Sequence, residues 1–365
     1  MKKTINIIFS IIAVVALSLT ITIVVLKPFS SPEIPEDETT VTEVPTVEDG
    51  FYVENEEWYY YENGSKSQKT DAVYGTVNEQ SGLWMTVDGK VDFSLVSIKK
   101  KENSWQYVKN GKVSEKTDIE ASFIFGDVLN SLSAEKELSA FGSFEFTTAK
   151  QELLQSEIDR ISAKGYNLGF VVMNMNSLSG FSYNADERIY SASTIKGPYV
   201  TSLVKSDNSL LNKEKARIDA TLIRSSNYDY ESLRDQYGDG CFTDFLSETG
   251  SDFVIDTTRN FQFMTPRVLA EMWAESYVFF ESGETGERLG QIFEKPEVSP
   301  IRKVFSDSFT TRSKAGWVEK NNIRVTNDAG IVYTDNGDYV VVIMTTAPID
   351  FKVVENIAES IGKCL

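Results

Sequence analysis

Two blocks of strand-forming residues stand at opposite ends of a long helical stretch, and this layout constrains the fold most. Leu168-Gly169-Phe170-Val171-Val172-Met173 is a short apolar run suited to a buried strand, and a second strand passes through Phe181 and Tyr183. Near the carboxy end, residues 329–333 and 339–345 read as strands around Asp335-Asn336-Gly337, a tight-turn signal. Leu153, Leu154, Ile158 and Ile161 recur at helical spacing just before the first pair, and a last helix over about 350–363 follows the second pair. Residues 193 to about 296 are largely helical. Strands divided in this way share one sheet only if the middle forms an inserted lobe. The expected fold class is α+β, an antiparallel sheet flanked by terminal helices with an inserted helical lobe.

The chain has no histidine. That excludes a Ser-His-Asp triad, a Cys-His dyad and any histidine-ligated metal. Cys241 and Cys364, the only cysteines, cannot build a zinc knuckle or a disulfide framework. No metal or cofactor is expected, and any nucleophile must take its base from lysine, a carboxylate or water. A net charge of −18 argues against nucleic acid as a partner, because phosphates need a basic face.

The amino-terminal part reads as a series of modules. Lys2 and Lys3 precede an uncharged stretch, residues 5–26, long enough at about 1.5 Å per residue to cross a ~30 Å hydrocarbon core. With no small-x-small cleavage site before Lys27, residues 1–27 are expected to be an uncleaved membrane anchor, everything after it lying outside the cell. Residues 28–48 are acidic and proline-rich, an extended linker. Over residues 49–118, Trp58-Tyr59-Tyr60-Tyr61-Glu62-Asn63-Gly64 recurs loosely at Trp84 to Gly89 and at Trp105 to Gly111. Asn-Gly and Asp-Gly pairs flanked by aromatics predict stacked β-hairpins. This stretch resembles the aromatic cell-wall-binding repeats of Gram-positive surface proteins; the alternative is a β-rich spacer without a ligand. Residues 119–147 read as a connector with some helical character, and residues 148–365 as the main domain.

The candidate chemistry sits where the lobe begins. Ser-x-x-Lys occurs five times in the chain, so alone it means little. Ser193-Thr194-Ile195-Lys196 is distinguished by following the second strand and opening a helix. Residues i and i+3 share a helical face, so the amine of Lys196 can reach the Ser193 oxygen. Backbone N–H groups at a helix start favour a developing oxyanion. A lysine that is desolvated beside another cation loses its proton more readily and can serve as the base.

Ser225-Ser226-Asn227 and Lys314-Ala315-Gly316 follow in order. With Ser193-x-x-Lys196 they make the chain similar to the serine β-lactamase (class A-like) and penicillin-binding protein superfamily over residues 148–365. Tyr183 to Arg188, Thr265 to Ala270 and Thr326-Asn327-Asp328 add to the likeness. The resemblance implies Ser193 as acylated nucleophile, Lys196 as base or proton relay, and Ser225 as proton donor to the leaving nitrogen. It implies substrate binding by Asn227, Lys314 and Ala315, and an oxyanion hole from the backbone N–H groups of Ser193 and Trp317.

Departures from the pattern matter as well. Ala315 replaces the hydroxyl residue that helps bind a substrate carboxylate. Arg324 could compensate, whereas Ser313 should point to the opposite strand face. The segment from Gly250 to Met264 is short and has no Glu-x-x-x-Asn, leaving Asp252 and Asp256 as its only carboxylates. The expectation is a membrane-anchored, extracytoplasmic serine hydrolase or acyltransferase acting on D-Ala-D-Ala peptides of peptidoglycan. A weak class A-like β-lactamase is the alternative enzyme, and a non-catalytic wall-binding or sensor protein the alternative of another class.

Overall fold

The computed structural model describes residues 47–251 and 254–365. The expected anchor, residues 1–27, and nearly all of the expected linker lie outside them, as does Asp252. Among the described residues no helix is long and apolar enough to cross a membrane.

The main sheet is antiparallel throughout, in the spatial order Leu138–Phe141, Ser179–Tyr183, Leu168–Asn174, Gly337–Thr345, Ile323–Thr334, Thr310–Lys320. The two strand blocks therefore meet at its centre, where Leu168–Asn174 pairs with Gly337–Thr345. Every residue of Leu168–Asn174 is buried, which is why that strand reads as an unbroken apolar run. Gly337 closes the carboxy-terminal hairpin at φ +123°, a backbone conformation that favours glycine.

One sheet face carries the terminal helices Thr148–Ala163 and Phe351–Gly362, whose Leu154, Ile158, Val354, Ile357 and Ile361 pack against Phe170, Val341 and Ile343. The other face carries the lobe. Its long helix Pro266–Glu281, capped by Thr265 with Pro266 in its first turn, is buried along nearly its whole length. Both cysteines are free thiols.

The aromatic repeats do form hairpins, joined in a separate antiparallel sheet. They are not a bead on a string. Only Val77, Trp84 and Val91 make a small core of their own, whereas Ile98 and Trp105 of the third hairpin enter the main core. Trp105 is fully buried against Phe125 and Tyr277. Phe125 belongs to helix Asp118–Asn130, in the expected connector, which opens with a Thr117/Glu120 capping box and packs its Ala121, Phe125 and Leu129 into the same core. Residues 47–365 thus form one compact unit. The amphipathic pattern of the connector and the indole of Trp105 are satisfied only by each other and by the lobe.

Candidate active site

The segment around Ser193 is held from two sides. Tyr190 pairs with Phe263 in a short ladder, and Ser191 donates its backbone N–H to Gln262 O at 2.7 Å. Asn327 Nδ2 donates to Tyr190 O at 2.8 Å and Ser191 O at 3.2 Å, tying this turn to the main sheet. Ser193 lies in a 3-10 turn, Ala192–Ile195, that runs directly into helix Lys196–Ser206. Ala192 and Ser225 both adopt left-handed backbone, at φ +45° and +57°. Such conformations cost about 1–3 kcal/mol each and persist where surrounding contacts impose them.

Lys196, Ser225, Asn227 and Lys314 are brought together. Lys196 Nζ donates to Ser225 O at 2.7 Å and to Asn227 Oδ1 at 2.6 Å. Lys314 Nζ donates to Ser225 Oγ at 2.8 Å and to Ala315 O at 2.6 Å. Both amines are buried. Burial pushes Lys196 down to about 8, partly opposed by the negative charge of Glu231. Burial, then the charge of Lys196, pushes Lys314 down to about 7, against the pull of Asp328. Asp328 is itself fully buried and raised to about 7 by desolvation, while Ser299 Oγ and the N–H of Ile301 donate to its carboxylate. Two desolvated amines thus meet at Ser225, Lys196 on its backbone oxygen and Lys314 on its hydroxyl, and amines whose basicity is lowered in this way can exchange protons without an imidazole.

Ser193 is half-buried, and among the described residues no hydrogen bond joins its Oγ to Lys196 or Ser225. Thr310–Lys320 is the edge strand beside it, paired on one side only, so its outward backbone groups face the serine turn. The approach is close. A Cβ on Gly316 would lie 2.5 Å from the backbone nitrogens of both Ser193 and Thr194.

Ala315 is fully buried and offers no hydroxyl. Ser313 shares a hydrogen bond with Ser299 at 2.8 Å, on the face away from the Lys314 amine, as strand alternation requires. Trp317 sets its ring edge-on to Phe351, 5.2 Å between centroids, so the indole is a half-buried strand aromatic packed on the terminal helix. Arg324 pairs in register with Glu319, five residues along the strand from Lys314, roughly 17 Å away at ~3.4 Å per residue. It cannot substitute for the missing hydroxyl. Asp256 is an exposed turn residue whose carboxylate accepts from Thr258 and Arg259.

Three neighbours of Lys196 were not singled out from the sequence. The rings of Tyr230 and Phe261 lie 5.6 and 5.7 Å from its amine. Exposed Glu231 stands one helical turn beyond Asn227. The i+3 and i+4 spacing from Asn227 points to Tyr230 and Glu231. Nothing local points to Phe261, which arrives from a different segment.

An antiparallel sheet with terminal helices on one face and a helical lobe on the other is a β-lactamase-like fold. The Beta-lactamase enzyme family model matches residues 236–365, about a third of the chain, which takes in Lys314 but not Ser193, Lys196, Ser225 or Asn227. No curated protein matches. Among solved structures, a β-lactamase from Sphaerobacter thermophilus is similar at 17% identity and TM-score 0.49, covering 58% of this chain and 95% of its own. PBP-A is similar at 18% identity and TM-score 0.47, with coverage of 58% and 95%. A β-lactamase from Desulfarculus baarsii gives 16% identity and TM-score 0.49, with coverage of 60% and 98%.

Proposed function

We propose that the protein is a serine hydrolase or acyltransferase of penicillin-recognising type, working through an acyl-Ser193 intermediate on D-Ala-D-Ala peptidoglycan peptides. The observation that carries this reading is the pair of buried amines gathered at Ser225, Lys196 on its backbone oxygen and on Asn227 Oδ1, Lys314 on its Oγ. In the forward step, Lys196 takes the proton of Ser193 Oγ as it attacks the carbonyl carbon. Ser225 delivers a proton to the leaving nitrogen, and Lys314 holds Ser225 in place and attracts the substrate carboxylate. The N–H groups of Ser193 and Trp317 receive the oxyanion, and Asn227 binds the substrate amide. Anchoring through residues 5–26 would hold the domain outside the membrane, with peptidoglycan or a β-lactam as the small partner.

Wall attachment through residues 49–118 is part of the same proposal, in a narrower form than the repeats alone suggest. Trp84 and Trp105 are buried, so the exposed rings available for stacking on sugars are Tyr52, Tyr74 and Phe93. The test of function is covalent uptake of a fluorescent penicillin by the purified chain, with the adduct located by mass spectrometry. Ser193→Ala and Lys196→Ala should each abolish it, and Ser202→Ala should not. An adduct that survives Ser193→Ala overturns the assignment. No uptake by the unaltered chain would favour the non-catalytic sensor.

A further inference from the structure

Behind the Tyr190–Phe263 ladder, on the side of the hairpin that bears Arg324, lies a groove of about 460 Å³. Lys164, Arg188 and Arg324 line it, together with Tyr166, Tyr190 and Phe263, and no carboxylate does. The groove is thus lined by cations alone among charged groups, in a chain of net charge −18. Two of them have loose partners at the margin: Lys164 with Asp350 at 3.6 Å and Arg324 with Glu319 at 3.5 Å. Exposed Arg188 has no ion pair among the described residues. The aromatic component is equally specific. Phe263 is 46% exposed, and its ring meets Tyr190 edge-on with centroids 5.5 Å apart, so a flat apolar face is presented beside the guanidinium groups.

We propose that this groove binds an oligosaccharide bearing carboxylates, a sugar face lying on Phe263 with Tyr190 bordering it and a carboxylate pairing with Arg188 and Arg324. A guanidinium matches a carboxylate with two parallel hydrogen bonds, and an exposed ring offers an apolar surface to the C–H face of a sugar. The negative charge of the rest of the chain repels an anion at long range. At physiological salt that repulsion is screened within about 8 Å, so inside the groove the local groups decide: three cations against the two marginal carboxylates, Asp350 and Glu319. The site is separate from the Ser193 chemistry and does not depend on it. It adjoins that chemistry, because Tyr190 lies on the ladder that holds the serine turn.

The test is fluorescence anisotropy on the full chain with a labelled oligogalacturonate. A neutral malto-oligosaccharide of equal length and inorganic polyphosphate serve as the other probes. The oligogalacturonate should bind, the neutral chain at least about tenfold more weakly. The double variant Arg188→Gln/Arg324→Gln should lose about tenfold in affinity at an unchanged melting temperature. Phe263→Ser should lose a similar factor for oligogalacturonate and none for polyphosphate. The proposal is overturned by absence of oligogalacturonate binding, by equal binding to the double variant, or by polyphosphate binding as tightly as the uronate.

Discussion

The ring of Phe261 stands 5.7 Å from the Lys196 amine, in the segment between the lobe helix Gly240–Thr249 and Thr265. An apolar ring there helps to desolvate the amine, and the same segment supplies no Glu-x-x-x-Asn. Asp256, the carboxylate of that segment among the described residues, is committed to Thr258 and Arg259. A penicillin is therefore expected to give a stoichiometric burst of acyl-enzyme followed by release slower by about 10²–10⁴, the usual contribution of a general base. Rapid steady-state hydrolysis without a burst, followed by stopped-flow absorbance, would contradict this.

Acylation should depend on pH through Lys196. As a base the amine must be neutral, and burial places its midpoint near 8, so the second-order acylation rate should rise with pH through that value. Glu231 pulls the midpoint upward because its negative charge stabilises the ammonium. Glu231→Gln removes that pull and should move the rising limb to lower pH. A limb that stays in place or moves upward would show that Glu231 does not act on Lys196.

Gly316→Ala offers a sharper probe of the edge strand. The new methyl would meet backbone nitrogens at 2.5 Å, and backbone yields less readily than a side chain. A stability loss of about 1–3 kcal/mol, typical of overpacking, should accompany an acylation loss of at least ~10²-fold. Guanidinium titration and penicillin labelling measure the two; unchanged labelling would mean that the strand and serine turn can separate freely.

Trp105 tests how far the hairpins belong to the catalytic unit. Its indole is fully buried between Phe125 and Tyr277, so Trp105→Ala should destabilise the whole of residues 47–365 by about 3–5 kcal/mol in one cooperative transition. A separate early transition of the hairpins alone, seen by circular dichroism during urea unfolding, would contradict the shared core.

What local sequence determined is what local physics can encode. An unbroken apolar run located the central strand, an Asn-Gly turn located the carboxy-terminal hairpin, and 3.6-residue periodicity located the helix Thr148–Ala163. Strand alternation also determined the side to which Ser313 turns. Tertiary structure decided everything that depends on residues distant in the chain. Lys314 reaches Ser225 across 89 positions, and Lys196 reaches Asn227 across 31, although each pair consists of ordinary polar residues in its own segment. The depressed basicity of both lysines comes from burial by the surrounding fold, which no local pattern contains. Trp105 reads as one more repeat aromatic until Phe125 and Tyr277 enclose it, and Phe261 as a loop residue until the segment folds over Lys196. Periodicity tells which face of an element is apolar; only packing decides what that face meets.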